Sequence, residues 1–173
     1  MILIEDNTNL FSLKEKEILE KKCSLFVNSD GPTKKENFTN YYVREHVNKD
    51  DLEFQTIISK INDCVNKQFK TNNIILEAFW INKITNETNK NDGFHRDSSD
   101  LTFLMYLNDE FTGGEYEYIV SETKRKEKIK PKKYLSIITN RDVEHRVKPV
   151  LEGERYSIVF FYNFVKKVNK TLL

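Results

Sequence analysis

A mostly β domain, with helices packed on one outer face of an antiparallel sandwich or barrel, is the fold class this sequence predicts. Three observations lead to it. Helix signals, a capping box in one stretch and a four-residue apolar stripe in another, occur only before residue 74. From Ile74 to Asn163 seven short runs rich in β-branched and aromatic residues succeed one another, separated by turn residues. A chain of 173 residues is large enough for one real core and too small for two, so helices and strands must share it. We therefore expect one domain over residues 1–173, with helical support in 1–73 and a β core in 74–164.

In chain order, Ile2 to Ile4 reads as a short edge strand. Ser12-Leu13-Lys14-Glu15 places serine and glutamate three apart, a reciprocal capping box that opens a helix running to about Lys22. Asn28 to Asn40 is largely polar and contains Gly31-Pro32, which reads as a loop. Tyr41-Tyr42-Val43 reads either as touching the sheet or as overhanging the site. Asp50 or Asp51 caps a second helix, in which Ile57, Ile61, Val65 and Phe69 recur every four residues, flanked by Leu52, Phe54 and Ile58. A single apolar stripe in a domain of this size meets its own core more readily than a partner.

The predicted strands are Ile74 to Asn82, Leu101 to Leu107, Glu115 to Val120, Glu127 to Lys130, Tyr134 to Thr139, His145 to Val150 and Arg155 to Asn163. Lys83 to Asp92 is polar apart from Ile84 and reads as a loop, placed where a substrate lid would lie.

Composition excludes several function classes. The 28 basic and 27 acidic residues nearly cancel, so charge demands neither a nucleic acid nor an anionic membrane as partner. No apolar run approaches the roughly 20 residues of a membrane helix, and the amino terminus lacks a basic region followed by a long apolar core. A soluble, cytoplasmic protein is expected. Cys23 and Cys64 are too few and too far apart for a disulfide framework or zinc knuckle and read as reduced thiols. The lysine-rich stretch from Lys124 to Lys133 reads as a solvated hairpin edge that resists sheet aggregation. His46, the third histidine, reads as an ordinary surface residue.

The chemistry-bearing residues lie in the β part. His95 and Asp97 are two apart and leave a strand on the same face, and His145 follows 48 residues after the aspartate. Two imidazoles and one carboxylate make the facial triad that holds a non-haem Fe(II) with open coordination positions. The bland alternative is a surface pair or a capped turn. Ten residues beyond His145 stand Arg155, Tyr156 and Ser157. On a regular strand Arg155 and Ser157 share a face, suited to grip the distal carboxylate of 2-oxoglutarate. The bland alternative here is an arginine paired with a structural acid, with the serine facing solvent.

These residues stand within a longer run of motifs. They are His95-Arg96-Asp97, Leu101-Thr102-Phe103-Leu104-Met105-Tyr106-Leu107-Asn108, Phe111-Thr112-Gly113-Gly114-Glu115, Lys130-Pro131-Lys132-Lys133, His145-Arg146-Val147, Pro149-Val150 and Gly153-Glu154-Arg155-Tyr156-Ser157. From about Ile74 to Phe164 the chain thereby resembles the 2-oxoglutarate- and Fe(II)-dependent dioxygenases, in their prolyl-4-hydroxylase-like branch. The resemblance implies a double-stranded β-helix, or jelly roll. It implies that His95, Asp97 and His145 bind iron and that Arg155 pairs with the 2-oxoglutarate carboxylate. Tyr106 is similar to the phenol that reaches the same co-substrate, although pattern alone equally allows a core tyrosine. Gly113-Gly114 reads as a tight turn with positive φ. Where the family usually has glycine after Pro131-Lys132-Lys133, this chain has Tyr134, and a differently turned hairpin is expected.

The implied activity is hydroxylation of an aliphatic C–H bond using 2-oxoglutarate and O₂, with ascorbate as a reductant. The expected substrate is a peptidyl side chain, proline first; the alternative is a free amino acid or other small molecule. An alternative of another class is a non-catalytic jelly-roll binding module or oxygen sensor. Nucleic acid is not expected as substrate, because the longer arginine-rich segment of the nucleobase-demethylating branch is not visible after His145.

Overall fold

The computed structural model describes residues 1–24, 33–34, 41–45, 52–71, 73–87 and 93–165, of which 33–34 and 41–45 are described by backbone alone. Its elements are β1 (Ile2–Asp6), α1 (Leu13–Ser24), β2 (Thr33–Lys34), β3 (Tyr41–Glu45), α2 (Leu52–Phe69), β4 (Ile74–Thr85), β5 (Leu101–Tyr106), β6 (Phe111–Gly113), β7 (Tyr116–Ile119), β8 (Lys126–Ile129), β9 (Leu135–Asn140), β10 (His145–Val147) and β11 (Val150–Phe164). Eight strands form one sheet in the order β1-β9-β5-β11-β4-β3-β2, with β6 beside β11. A second sheet runs β10-β7-β8. All the pairings are antiparallel. This is the jelly roll the motifs implied.

Side-chain alternation sorts the large sheet into two faces. Phe79, Ile81, Phe103, Met105, Ile138, Ile158 and Phe160 pack against Leu19 of α1 and Phe54, Ile57, Ile61 and Val65 of α2. Leu104, Tyr106, Ile137 and Val159 point the other way and meet Tyr116 and Ile129 of the small sheet. The helical stripe read from sequence is thus buried against its own sheet, each such side chain contributing about 1.5–3 kcal/mol. The capping box forms as expected: the Ser12 backbone N–H donates to Glu15 at 2.6 Å, and the Glu15 N–H donates to Ser12 Oγ at 3.3 Å. Lys60 of α2 reaches the same carboxylate at 2.7 Å and ties the two helices together. Among the described residues no helix is long and apolar enough to cross a membrane.

Several expectations need correction. Strand β4 continues through Lys83, Ile84 and Thr85 rather than ending at Asn82, because β11 runs alongside it as far as Glu154 and keeps the ladder going. The expected loop therefore begins later, and residues 88–92 lie outside the described ones. The expected run from His145 to Val150 is two elements, divided at Pro149, which lacks a ladder donor. Strand β11 starts at Val150, five residues before Arg155, with an irregularity in its pairing to β6 between Val150 and Glu152. Strand β6 was not expected; three residues leave too short a pattern. Tyr41–Val43 lies within β3, whose Val43 pairs with Lys83. His46 and most of the loop at Asn28–Asn40 fall outside the described residues.

Two turns show how backbone geometry constrains sequence. Gly113 has φ +76°, and a Cβ there would collide with the Pro149 carbonyl oxygen, so only glycine fits. Tyr134 has φ +64°. It adopts the left-handed conformation natural to glycine, so its presence does not require the differently turned hairpin. Its ring recovers part of the strain by packing on Phe11, 6.3 Å between centroids, with Lys16 Nζ 5.2 Å above it.

Candidate active site

His95 and His145 face each other across an isolated antiparallel bridge, in which each residue's N–H donates to the other's carbonyl at 2.9 Å. That pairing aims both imidazoles the same way, 4.6 Å between ring centroids. The Nδ1 of His95 lies 3.2 Å from the Gly93 carbonyl, and that of His145 lies 3.1 Å from the Val143 carbonyl. A carbonyl can only accept, so each Nδ1 carries the proton and each Nε2 keeps its lone pair free. Asp97, two residues along, brings its Oδ2 to 3.8 Å from His145 Nε2. One ligand atom from each of the three residues lies within 4.8 Å of the others, a spacing that could hold a metal ion.

Surrounding groups hold these side chains in place. Thr102 donates its hydroxyl proton to Asp97 Oδ2 at 2.6 Å, which fixes the carboxylate. Tyr116 stacks on the His145 ring at 4.9 Å with an interplanar angle of 16°. Burial lowers the pKa of His145 against the opposing pull of Asp97, favouring the neutral imidazole that ligates metals. Burial raises the Tyr116 phenol well above its ordinary value, so it stays a neutral stacking partner.

The cluster opens into a cavity of about 600 Å³ between the two sheets, whose lining includes Arg155, Trp80, Asn82, Thr139 and Phe161. Arg155 is only 1% exposed, yet its Nε and one terminal nitrogen have no hydrogen-bond partner among the described residues. Its other terminal nitrogen donates to Ser157 Oγ at 3.2 Å, and its guanidinium carbon sits 4.9 Å from the centre of the Tyr106 ring. Desolvation pulls the guanidinium below its usual range and pushes the Tyr106 phenol up. Among the described residues the Tyr106 hydroxyl and Asn82 Oδ1 are likewise buried without partners. Among them, too, no acid meets Arg155, an arrangement suited to receive a planar anion.

Residues 80–163 match the model of the 2OG-Fe(II) oxygenase superfamily, a span that contains all of His95, Asp97, His145 and Arg155. Over these residues the chain is similar to that superfamily. The whole chain is similar in fold to an oxidoreductase of the 2OG-Fe(II) oxygenase family from Burkholderia pseudomallei: TM-score 0.68, 19% identity, 95% of this chain and 87% of that one covered. It is similar to a prolyl hydroxylase from Trichoplax adhaerens, solved with a hypoxia-inducible-factor oxygen degradation domain peptide fragment: TM-score 0.68, 19% identity, coverage 94% and 83%. A Pseudomonas putida prolyl-4-hydroxylase gives TM-score 0.69 at 13% identity, coverage 94% and 92%. No curated protein sequence matches the chain. The superfamily it resembles implies Fe(II) and 2-oxoglutarate, and the residues present fit both: two imidazole nitrogens with a carboxylate for the metal, and a buried guanidinium with two unpartnered nitrogens for the anion.

The fold thus brings together His95, Asp97 and His145, and sets Arg155 in the same cavity. Ser157 and Tyr106 are buried against Arg155 without lining the cavity themselves. Sequence reasoning did not single out Thr102, Tyr116 or Asn82. The signal for Thr102 was present, the one aliphatic hydroxyl in the run Leu101–Tyr106, five residues after Asp97. Nothing local marks Tyr116, whose place over His145 depends on the β7–β10 register.

Proposed function

We propose that this chain, as one domain over residues 1–173, is a 2-oxoglutarate- and Fe(II)-dependent dioxygenase that hydroxylates an aliphatic C–H bond of a peptidyl side chain, with proline the first candidate. His95 and His145 hold the iron through Nε2 and Asp97 through its carboxylate. Thr102 and the two backbone carbonyls at Gly93 and Val143 keep those three ligands oriented. Arg155 receives the distal carboxylate of 2-oxoglutarate, with the Tyr106 hydroxyl and Ser157 completing its donor set. Bound there, iron supplies the redox chemistry by which O₂ oxidises 2-oxoglutarate to succinate and CO₂ while one oxygen atom enters the substrate C–H bond. Trp80 and Phe161, 4.5 Å apart on the cavity wall, form an apolar surface on which an aliphatic group can be positioned without water.

The observation that carries this reading is Arg155. Burying an unpaired guanidinium is expensive, and a non-catalytic jelly roll has no reason to keep one beside a metal triad. Support for a peptidyl substrate comes from the similar Trichoplax prolyl hydroxylase, which was solved in complex with a peptide fragment. The test is mass spectrometry of proline-containing peptides incubated with Fe(II), 2-oxoglutarate, ascorbate and O₂. Gain of one oxygen atom with the wild type and none with Asp97→Ala is the expected result. Oxygen gain by free amino acids alone would move the assignment to a small-molecule hydroxylase.

A further inference from the structure

The small sheet carries a charge pattern that the metal site does not use. Residues 121–133 hold seven Lys or Arg against two Glu, net +5, which leaves −4 for the remaining 160 residues of a chain whose total is +1. The positive charge is therefore concentrated on the β7–β8 hairpin and the short segment leading from it to β9. Among the described residues β8 is an edge strand, paired with β7 and with nothing on its other side. Lys126 and Lys128 are two apart on β8, and Lys130 continues the alternation just beyond it, so the three share one face. All three are exposed.

This face is the outer side of the small sheet, whose inner side carries His145 and Tyr116. Across the register, Lys128 lies opposite Glu117 and Glu117 opposite Arg146, on the residue next to His145. Phe94, next to His95, is held between two cations: Arg146 at 4.6 Å and Lys126 at 5.1 Å from its ring centre. Arg96, 62% exposed and paired with Glu144 at 3.5 Å, stands on the cavity lining. Glu117 is consumed by Arg146 in a contact of 2.6 Å. Among the described residues, the side chains of Lys124, Arg125, Lys128 and Lys130 make no hydrogen bond or ion pair.

We propose that β8 docks an extended acidic segment of the substrate polypeptide, added at its free edge, with acidic side chains at every second position facing Lys126, Lys128 and Lys130. The proposal rests on the peptidyl-substrate reading and names the substrate class. A free sheet edge offers backbone donors and acceptors, and alternate side chains of an added strand meet those of the edge. Lysines on an edge discourage pairing with a like strand; the same charge selects for an acidic one. Docking here sets the added strand beyond β8, with β7 and β10 between it and His95, as a remote anchor for a chain whose reacting residue enters the cavity at Arg96.

The test is fluorescence anisotropy of the full chain with a labelled peptide of alternating Glu and Thr, its Gln-Thr counterpart, and an oligothymidylate. The Glu-Thr peptide is expected to bind about tenfold or more tightly than the Gln-Thr peptide and to weaken with added salt. Arg125→Glu/Lys128→Glu/Lys130→Glu should abolish that preference, while Lys14→Glu/Lys21→Glu/Lys67→Glu, an equal charge change on the helices, should keep it. Equal loss in both variants, no Glu-over-Gln preference, or tighter binding of the oligothymidylate would overturn the proposal. The visible band of the anaerobic Fe(II)–2-oxoglutarate chelate, recorded on the same samples, separates the two readings. Its absence from the wild type defeats the dioxygenase assignment, whereas a normal band with no acidic preference defeats only the docking surface.

Discussion

The two faces of the eight-stranded sheet are made by alternate residues of the same strands, yet they are built to opposite rules. Toward the helices, Phe103, Met105, Ile158 and Phe160 are fully buried, and the main polar exception, Ser136, accepts a hydrogen bond from Asn7. Toward the small sheet, one residue along, lie Thr102, Tyr106, Arg155 and Ser157. Of the five buried side-chain atoms without partners among the described residues, four belong to Asn82, Tyr106 and Arg155 on this second face. Burying polar groups unsatisfied destabilises a fold by about 1–3 kcal/mol each, so the second face gives up stability that the first supplies. Strand parity thus divides the work: one face holds the fold together and the other keeps bonding capacity in reserve for ligands.

The sharpest way to break this contrast is a substitution on each face. Phe160→Ala leaves a cavity between sheet and helices and should lower unfolding free energy by about 3–5 kcal/mol in denaturant titration. Its metal and 2-oxoglutarate affinities, measured on the folded fraction, should stay near wild type. Arg155→Met should do the reverse. Affinity for 2-oxoglutarate falls by about 2–5 kcal/mol in calorimetry with the metal-loaded protein, while the unliganded chain is as stable as wild type or more so. A large loss of stability in Arg155→Met would mean that the guanidinium is structural and the contrast false.

Smaller effects refine the boundary. Thr102→Val removes the hydroxyl that fixes Asp97 and should weaken metal binding about 10–100-fold at little stability change. Tyr162→Phe, on the helix-facing side, removes the 2.8 Å bond to Asn62 Oδ1. It should cost about 1 kcal/mol of stability and leave ligand affinity untouched.

Much of this division was legible in the chain before folding was considered. Strand alternation put Arg155 and Ser157 on one face, and the four-residue stripe of α2 marked the side of that helix to be buried. Local signals also marked the capping box at Ser12 and the positive φ of Gly113 and Gly114. The spacing of His95 and Asp97 predicted their convergence, and His145 joins them because an antiparallel bridge sets it opposite His95. What stayed hidden depends on register between distant strands. Tyr116 reaches His145 only through the β7–β10 pairing, and β4 runs past Asn82 only because β11 begins early enough to pair with it. The expected change of turn at Tyr134 failed for a different reason: tertiary packing of its ring offsets the backbone strain that composition alone would forbid.

The central claim is that the polar face is one working site, with His95, Asp97 and His145 holding Fe(II) and Arg155 seating 2-oxoglutarate beside it. The most direct measurement is the anaerobic visible spectrum of the protein loaded with Fe(II) and 2-oxoglutarate. The account predicts a charge-transfer band in wild type, its loss in His145→Ala, and a need for far more 2-oxoglutarate to reach it in Arg155→Met. No band in wild type, or an undiminished band in His145→Ala, would contradict it.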